Sequence, residues 1–523
     1  MIDCRNSKLD IKTQIMGSRG VEDIDGFLHP SMSNLCDAHS FEFIDKGCSI
    51  VKSAMENDKS ILIYADVDTD GIMSATIMYK YLERLVDDIG VTINETKSHG
   101  IDDGLKTGAD LIVVVDSIND KPDKYLELLN EGKEIIVLDH HIPNQEVLDI
   151  KDKICLISSA VNYPNKDLSG AGVCWRFCKY LDEVFGTDYA DNLIDLAAVG
   201  LIGDVCSMKS IENRAICYKA FKGGVKDFSL QLILQDKEFN SENISFSISP
   251  FINSAIRLGH NADILGMFIS NLIEDKRWLY NKLSKLKDEQ REIVNEFVSN
   301  IDESSQKDNS TYIFYNDKYD GFNGLFASNL ADKFNKPVFV GKVENNEFHG
   351  SMRCPYNIDF RWLLNYSGLA ECNGHEKSAG VSFAMADVDK LIRFLNLSIQ
   401  EEDKRVVEEA DILIDDYQLV DKLVDDIEEI NYISGEEFKP IAVKIEELRG
   451  FQIAWLKDIH LKLLKDNKEF IKWRAKDSVN ITEKDSVDII GTPSFDYFRG
   501  KKKIQFIIKD LKHSESIGEA MIF

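Results

Sequence analysis

Three apolar runs in the first third of the chain each stop at an aspartate: SILIYADVD (60–68), ADLIVVVDS (109–117) and KEIIVLDHH (133–141). Unbroken apolar runs of this length are strands covered on both faces, since a half-exposed strand alternates. The segments between them, IMSATIMYKYLERLVDDI and KPDKYLELLNEG, carry the 3.6-residue spacing of helices. Buried strands alternating with helices predict βαβ units and a parallel sheet. Ligands of such sheets gather at the carboxyl ends of the strands. That is where all three aspartates stand.

The first run continues as ADVDTDGIMSA (65–75), in which Asp66, Asp68 and Asp70 alternate and Gly71 permits a tight strand-to-helix turn. Burying three like charges without a cation costs several kcal/mol each. No glutamate stands where a calcium-binding EF-hand loop requires one, and the Gly-Lys-Ser/Thr element of a phosphate-binding loop is absent. Asp116 ends the second run, Asp139, His140 and His141 end the third, and Asp204 closes the apolar segment DLAAVGLIGDV. Alone, each is as easily a turn residue. Together they form a mixed oxygen and nitrogen donor set that suits Mn²⁺ or Mg²⁺, with enough ligands for two ions. Two such ions about 3.5–4 Å apart catalyse phosphoester hydrolysis.

Hydrophobic residues make up 44% of the 523 and charged residues 29%, the balance of a globular chain of several domains. A net charge of −28 argues against coating nucleic acid over the whole surface but leaves room for a local basic groove. The cysteines form no CxxC pair, and with no signal-peptide core or membrane span in view the expected compartment is reducing and cytoplasmic.

The expected organisation starts with residues 1–40, which carry no interpretable signal, followed by a parallel-sheet domain over 41–270. A connecting helix (271–305) leads to a smaller α/β domain (306–400), an acidic helical linker (401–434) and a C-terminal β domain (435–523). In that last block KDIHLKLLKDNKEFIKWRAK holds seven Lys/Arg against three acids, and RGKKKIQFIIKDLK six against one. Interleaved with Phe470, Trp473, Tyr497, Phe498 and Phe506, these cations fit an OB-like barrel that binds single strands. Its candidate contacts are Lys472, Trp473, Arg474, Arg499, Lys501 and Lys502.

In their order along the chain, ADVDTDGIMSA, VVVDS, LDHH and AAVGLIGDV resemble the four metal motifs of the DHH phosphoesterase superfamily. PFINSAIRLG (250–259), GSMRC and NGHEKSAG narrow the resemblance to RecJ-like single-strand-specific exonucleases, with a DHHA1 substrate domain and an OB-type C-terminal domain. The resemblance implies Asp68, Asp70, Asp116, His140, His141 and Asp204 as ligands of two Mn²⁺ or Mg²⁺ ions, with Asp66 a neighbouring acid of the same motif. It makes Asp116 the bridge, and Asp139 the residue that orients the histidines or the water. Arg257 and Arg353, with Asn253, Ser351, Gly374 and His375, would hold the substrate phosphates. Asn373 replaces the first glycine of the family's G-G-H, and Asp320 and Asn329 depart from it elsewhere.

The implied activity is hydrolysis of single-stranded DNA from the 5′ end to mononucleotides, in repair, recombination or replication. RNA stays open as a substrate. The implied chain is a monomer that works away from membranes, with a single-strand-binding protein or a helicase as protein partner. Two other readings stand beside it: a phosphodiesterase of short oligonucleotides or cyclic dinucleotides, and a catalytically weak replication-fork scaffold. The C-terminal block argues against the first and the intact ligand set against the second.

Overall fold

The computed structural model describes residues 2–3, 10–94, 100–319, 321–400, 403, 409–476, 479–496 and 502–514. The chain divides into two units, one drawn from 1–253, 261–281 and 408–523, the other from 254–260 and 282–407.

The first unit begins with a two-residue strand, β1 (Ile2–Asp3). Its central sheet holds β2 (Ile61–Ala65), β3 (Ile89–Ile93), β4 (Leu111–Val115), β5 (Glu134–Asp139) and β6 (Leu156–Ser158), all parallel in the order β3-β2-β4-β5-β6. Strands β2, β4 and β5 are the three apolar runs, and β4 is buried at every position. The edge strand β3, IGVTI, is half-exposed, and β6 has three residues; neither makes an apolar run.

From β2 the chain crosses outward to β3, then returns to the other side of β2 for β4. The reversal opens a crevice at the carboxyl ends of β2 and β4. Ala65 lies beside Val115, and Val115 beside Leu138, so Asp66, Asp116 and Asp139 leave three neighbouring strands at one level. Helices Thr69–Leu82, Gly170–Phe185 and Ile194–Gly203 pack on one another above that edge. The last, IDLAAVGLIG, is apolar nearly all round and correspondingly interior.

The second unit carries β7 (Tyr312–Tyr315), β8 (Val338–Glu344), β9 (Glu347–Arg353), β10 (Glu371–His375) and β11 (Ser378–Ala384) in the order β10-β11-β9-β8-β7. Only β7 and β8 pair in parallel. Helix Asn323–Phe334 packs Phe326 and Leu330 on one face of the sheet, and helices Phe360–Ser367 and Val388–Ser398 pack Phe360, Leu364, Leu391 and Leu395 on the other. Helix Ile273–Asn300, 28 residues without glycine or proline, supplies residues to both units.

The C-terminal sheet belongs to the first unit. It contains β1, β12 (Ile412–Ile414), β13 (Val443–Leu448), β14 (Gln452–Leu456), β15 (His460–Lys465), β16 (Lys468–Lys472), β17 (Val487–Asp496) and β18 (Lys503–His513), in the order β1-β12-β13-β17-β18-β16-β15-β14.

Two expectations change here. The stretch expected as an acidic linker over 401–434 instead contains β12 and the helix Val420–Asn431, which buries Val420, Leu423, Val424, Ile427 and Ile430 and packs on β17. Its acids lie mostly on the other face, apart from Glu428, which accepts the Phe495 N–H of β17, and charge counting sees the acids alone.

Residues 1–40 also gain a role. Strand β1 pairs with β12, Lys12 bonds Glu429 at 2.6 Å, and Arg19 grips Asp411 through Nε and Nη2 at 2.9–3.1 Å. The buried Arg214 guanidinium lies 3.8 Å from the Phe27 ring centroid and 5.0 Å from that of Phe438, and donates to the carbonyls of Phe27, Met208 and Ile433. The N-terminal segment thus fastens the C-terminal sheet to the parallel-sheet core. Among the described residues no helix is long and apolar enough to cross a membrane.

Candidate metal centre

Asp68 caps the Thr69–Leu82 helix, accepting the Gly71 N–H at 2.8 Å. A Cβ on Gly71 would overlap the Asp66 carbonyl, so only glycine lets the strand turn this tightly into the helix. The turn sends Asp70 inward, 1% exposed, to the N-terminus of helix Gly170–Phe185. There its carboxylate accepts the N–H groups of Gly170 at 2.6 Å and Ala171 at 3.1 Å. The partial positive end of that helix favours the anion and fixes its direction. These donors escaped the sequence reading. Their signal is the run Ser169-Gly170-Ala171-Gly172, a helix cap followed by residues small enough to admit a carboxylate.

Asp116 follows β4 with a φ of 53°, a left-handed conformation that a non-glycine residue adopts only when its surroundings enforce it. Its side chain is buried, and Oδ1 accepts no hydrogen bond. Asp139, also buried, accepts the Ile118 N–H through Oδ2 at 2.7 Å. Its Oδ1 takes both the His141 N–H at 2.7 Å and His141 Nδ1 at 2.8 Å. This pairing fixes the His141 ring, whose Nδ1 also lies 3.9 Å from Asp116 Oδ1.

His140 Nε2 faces three carboxylates at once: Asp116 Oδ1 at 3.2 Å, Asp204 Oδ2 at 3.7 Å and Asp70 Oδ2 at 3.9 Å. Two sets of ligand-type atoms therefore converge, Asp116–His140–His141 and Asp70–His140–Asp204, each within 4.8 Å. Asp66 and Asp68 fall outside both; the Asp66 carboxylate accepts the Val67 N–H at 2.7 Å. Asp204 ends helix Ile194–Gly203 and accepts the Cys206 thiol at 3.6 Å, a neighbour the sequence reading did not single out.

The electrostatics are those of crowded anions. Burial, then the charges of Asp70, Asp68, Asp139 and Asp204, push the Asp116 carboxyl well above the ordinary carboxylate range. Burial also raises Asp70, Asp68 and Asp204, aided by neighbouring acids. Burial would lower His141, but the hydrogen bond and charge of Asp139, with Asp204 and Asp70, raise it to about 9. The Asp139 carboxyl is lowered: burial opposes ionisation, and the hydrogen bond and charge of His141 overcome it. An orphaned buried carboxylate oxygen beside converging carboxylates and imidazoles fits a hard divalent cation, and no thiolate competes in either set.

Residues 60–201 match the model of the DHH family, N-terminal domain. The chain carries a DHH domain. It is 24% identical over 592 residues to the SPbeta prophage protein YorK of Bacillus subtilis, named as a single-strand DNA-specific exonuclease, covering 100% of this chain and 99% of that protein. With the single-stranded-DNA-specific exonuclease RecJ of the same organism it shares 24% identity over 532 residues, covering 94% of this chain and 66% of that one. The structure of RecJ from Thermus thermophilus in complex with Mn²⁺ superposes with a TM-score of 0.77 at 19% identity, covering 97% of this chain and 76% of that one, so the two share a fold.

The remaining expected site residues lie outside residues 60–201. In the second unit Arg257 and Arg353 are near enough for their charges to interact; burial lowers both, and the Arg257 charge further lowers Arg353. Arg353 Nη1 bonds only the Met352 carbonyl, at 2.7 Å, and neither guanidinium has a carboxylate partner among the described residues. Gly324 gives Arg353 its room, since a Cβ there would sit 2.7 Å from Nη2. Ser351 is half-buried on β9, while Gly374 (φ 132°) and His375 are exposed on β10. Asn253 is half-buried four residues before Arg257 on helix Ser249–Arg257. The departure at Asn329 is absorbed within its own helix, where Nδ2 bonds the Leu325 carbonyl.

In the C-terminal sheet Trp473 is half-exposed with its ring edge-on to His460 at 4.8 Å, and the exposed Arg474 donates its backbone N–H to His460 Nδ1. Lys472 reaches the Lys509 carbonyl at 2.6 Å. Lys502 lies 3.5 Å from the centroid of the Phe495 ring and 3.7 Å from Asp425. Arg499, Lys501, Tyr497, Phe498 and Asp320 lie outside the described residues.

Proposed function

We propose that the chain is a metal-dependent exonuclease that hydrolyses single-stranded DNA to mononucleotides, starting from the 5′ end that the RecJ resemblance implies. The observation that carries this reading is Asp116 Oδ1, buried without a hydrogen bond among His140, His141, Asp70 and Asp204. The full-length similarity to proteins named as single-strand-specific exonucleases supports the substrate. Asp116, His140 and His141 would hold one Mn²⁺ or Mg²⁺, and Asp70, Asp204 and His140 the side facing a second. Asp116 would be the acid shared between them, and Asp68, whose charge interacts with Asp204 and His140, would be a further acid beside them. Such ions activate a water and stabilise the attacking and departing oxygens of a phosphodiester.

The protein's own share is positioning. The helix N-terminus at Gly170 and Ala171 holds Asp70 in one orientation, and Asp139 fixes the His141 ring through Nδ1. Arg257 and Arg353, cations without acids, fit a substrate phosphate through bidentate bonds. His375, Gly374, Ser351 and Asn253 complete the substrate set.

In the C-terminal sheet β13 and β14 read as one strand bent over residues 449–451. The succession β14-β15-β16-β18-β17-β13, with β16 and β18 parallel, then returns to its own start, as in a five-stranded OB barrel. Half-exposed Trp455 and Trp473 offer base-stacking faces there. On this reading the protein would work on DNA in the cytoplasm, and a single-strand-binding protein or a helicase would be its protein partner.

Digestion of 5′- and 3′-labelled single strands, duplexes, RNA and dinucleotides with Mn²⁺ tests the proposal. Mononucleotides released first from the 5′ end of single strands support it. Cleavage confined to dinucleotides, or equal attack on duplex, refutes it.

A further inference from the structure

Helix Phe360–Ser367 in the second unit buries Phe360 and Leu364 and displays Trp362 and Tyr366, which are 57% and 70% exposed. One turn apart, the two rings stack on each other with centroids 4.8 Å apart and planes only 16° from parallel. Burying one face of the helix leaves the opposite stripe no route to the core, so the pair stands in water as a flat aromatic surface. Among the described residues few apolar side chains are so open, and these two are adjacent.

The surroundings say what fits. Arg353, Ser378 and His375 are direct partners across β9, β11 and β10, so their side chains share one face of the sheet. At about 4.8 Å per strand, His375 sits about 10 Å from Arg353, on the outermost strand. Over that edge Arg361 Nη1 bonds the Gly374 carbonyl at 2.8 Å, and Asn365 bonds both backbone groups of Cys372. Arg361 and Asn365 thus seal the open edge of β10. Trp362 and Tyr366 lie on the next stripe of the same helix, about 100° round. A chain of phosphates starting at Arg353 would cross His375, pass the Arg361 guanidinium and bring its bases to the aromatic pair.

We propose that Trp362 and Tyr366 form a base-stacking platform for unpaired nucleotides of a single strand whose phosphate is held at Arg353 and His375. This rests on the nuclease reading and adds a subsite to it. Stacking on a flat ring pair needs unpaired bases, so the platform selects single strands without reading their sequence. Arg361 is partly neutralised by Asp359 at 3.3 Å, but Arg353 has no carboxylate partner among the described residues and fits a phosphate, which a protein partner covering an apolar stripe does not need.

The test uses full-length protein and fluorescent 5′-phosphorylated oligodeoxythymidine, with binding measured by anisotropy without divalent metal. The paired change Trp362→Ala and Tyr366→Ala is expected to weaken binding about five- to hundred-fold. The slope of affinity against salt should stay unchanged, because no ionic contact is lost. Trp362→Phe with Tyr366→Phe should restore most of the affinity, which separates stacking from misfolding. A single abasic site moved along the oligonucleotide should cost the native protein affinity at one or two positions and the alanine variant at none there. Unchanged affinity and an unchanged abasic profile in the alanine variant overturn the platform and leave the stripe to a protein partner. A native protein that neither binds nor cleaves single strands overturns the nuclease reading itself.

Discussion

Replacing Asp204 by asparagine should make the metal-free protein more stable while removing its response to metal. The ligand-type oxygens of Asp204 and Asp70 lie within 4.8 Å of each other. Two unit charges at that distance repel by about 3.5 kcal/mol at an effective dielectric constant of 20. The Asp204 side chain is 33% exposed and solvent screens part of the repulsion, leaving about 1–2 kcal/mol. At about 2.1 cal/mol/K per residue, a unit of several hundred residues has an unfolding entropy on the order of 0.8 kcal/mol/K, so the gain is about 1–2 °C in Tm. Asparagine keeps an acceptor for the Cys206 thiol, so little else changes.

The assay is thermal unfolding at pH 8 in chelator and then in Mn²⁺. Native protein should gain about 2.7 kcal/mol of stability at a hundred-fold excess of ion over Kd, or about 3 °C, and Asp204→Asn less than about 1 °C. The sign with pH follows from the raised carboxyls. Their ionised forms destabilise the metal-free fold above the ordinary carboxylate range, and protonation relieves this as pH falls. The advantage of the variant should therefore shrink by pH 5.5. A variant that melts below native protein in chelator yet keeps the full Mn²⁺ shift would refute a charge-crowded metal site.

Three further outcomes follow from the same geometry. In metal-free protein His141 should titrate near pH 9 by NMR and return toward about 6.5 in Asp139→Asn, since Asp139 stabilises the imidazolium; a value unmoved by the substitution contradicts that pairing. Gly200→Ala places a Cβ against Asp70 Oδ1 and 3.3 Å from Ser169 Oγ; it should cost about 1–3 kcal/mol in denaturant unfolding and weaken Mn²⁺ binding in calorimetry. Arg19→Ala removes the fork to Asp411 and should make the chain after residue 409 more susceptible to limited proteolysis, with Mn²⁺ binding unchanged.

What the sequence disclosed follows from which signals are local. Strands β2, β4 and β5 declare themselves because burial on both faces demands unbroken apolar runs. Their terminal acids are conspicuous because nothing apolar explains them. The family resemblance marked Asp139 as an orienting group for the histidines or the water, and the structure pairs it with His141. The half-exposed edge strand β3 has no such run. The grip of Gly170 and Ala171 on Asp70 joins positions 100 residues apart through backbone N–H groups, which carry no residue-type signature. The Val420–Asn431 helix shows its apolar stripe at the 3.6 spacing, but the abundance of acids masked it. The N-terminal clamp depends on β1, two residues long, and on cations whose partners lie some 400 residues away. Such pairings are set by the assembled fold and leave no mark on either segment alone.

The most direct measurement is anomalous diffraction from crystals of the native chain soaked in Mn²⁺. Two peaks about 3.5–4 Å apart are expected, one bound by Asp116, His140 and His141 and one by Asp70 and Asp204, with Asp116 reaching both. Peaks elsewhere, or none at these side chains, would contradict a metal centre at the ends of β2, β4 and β5.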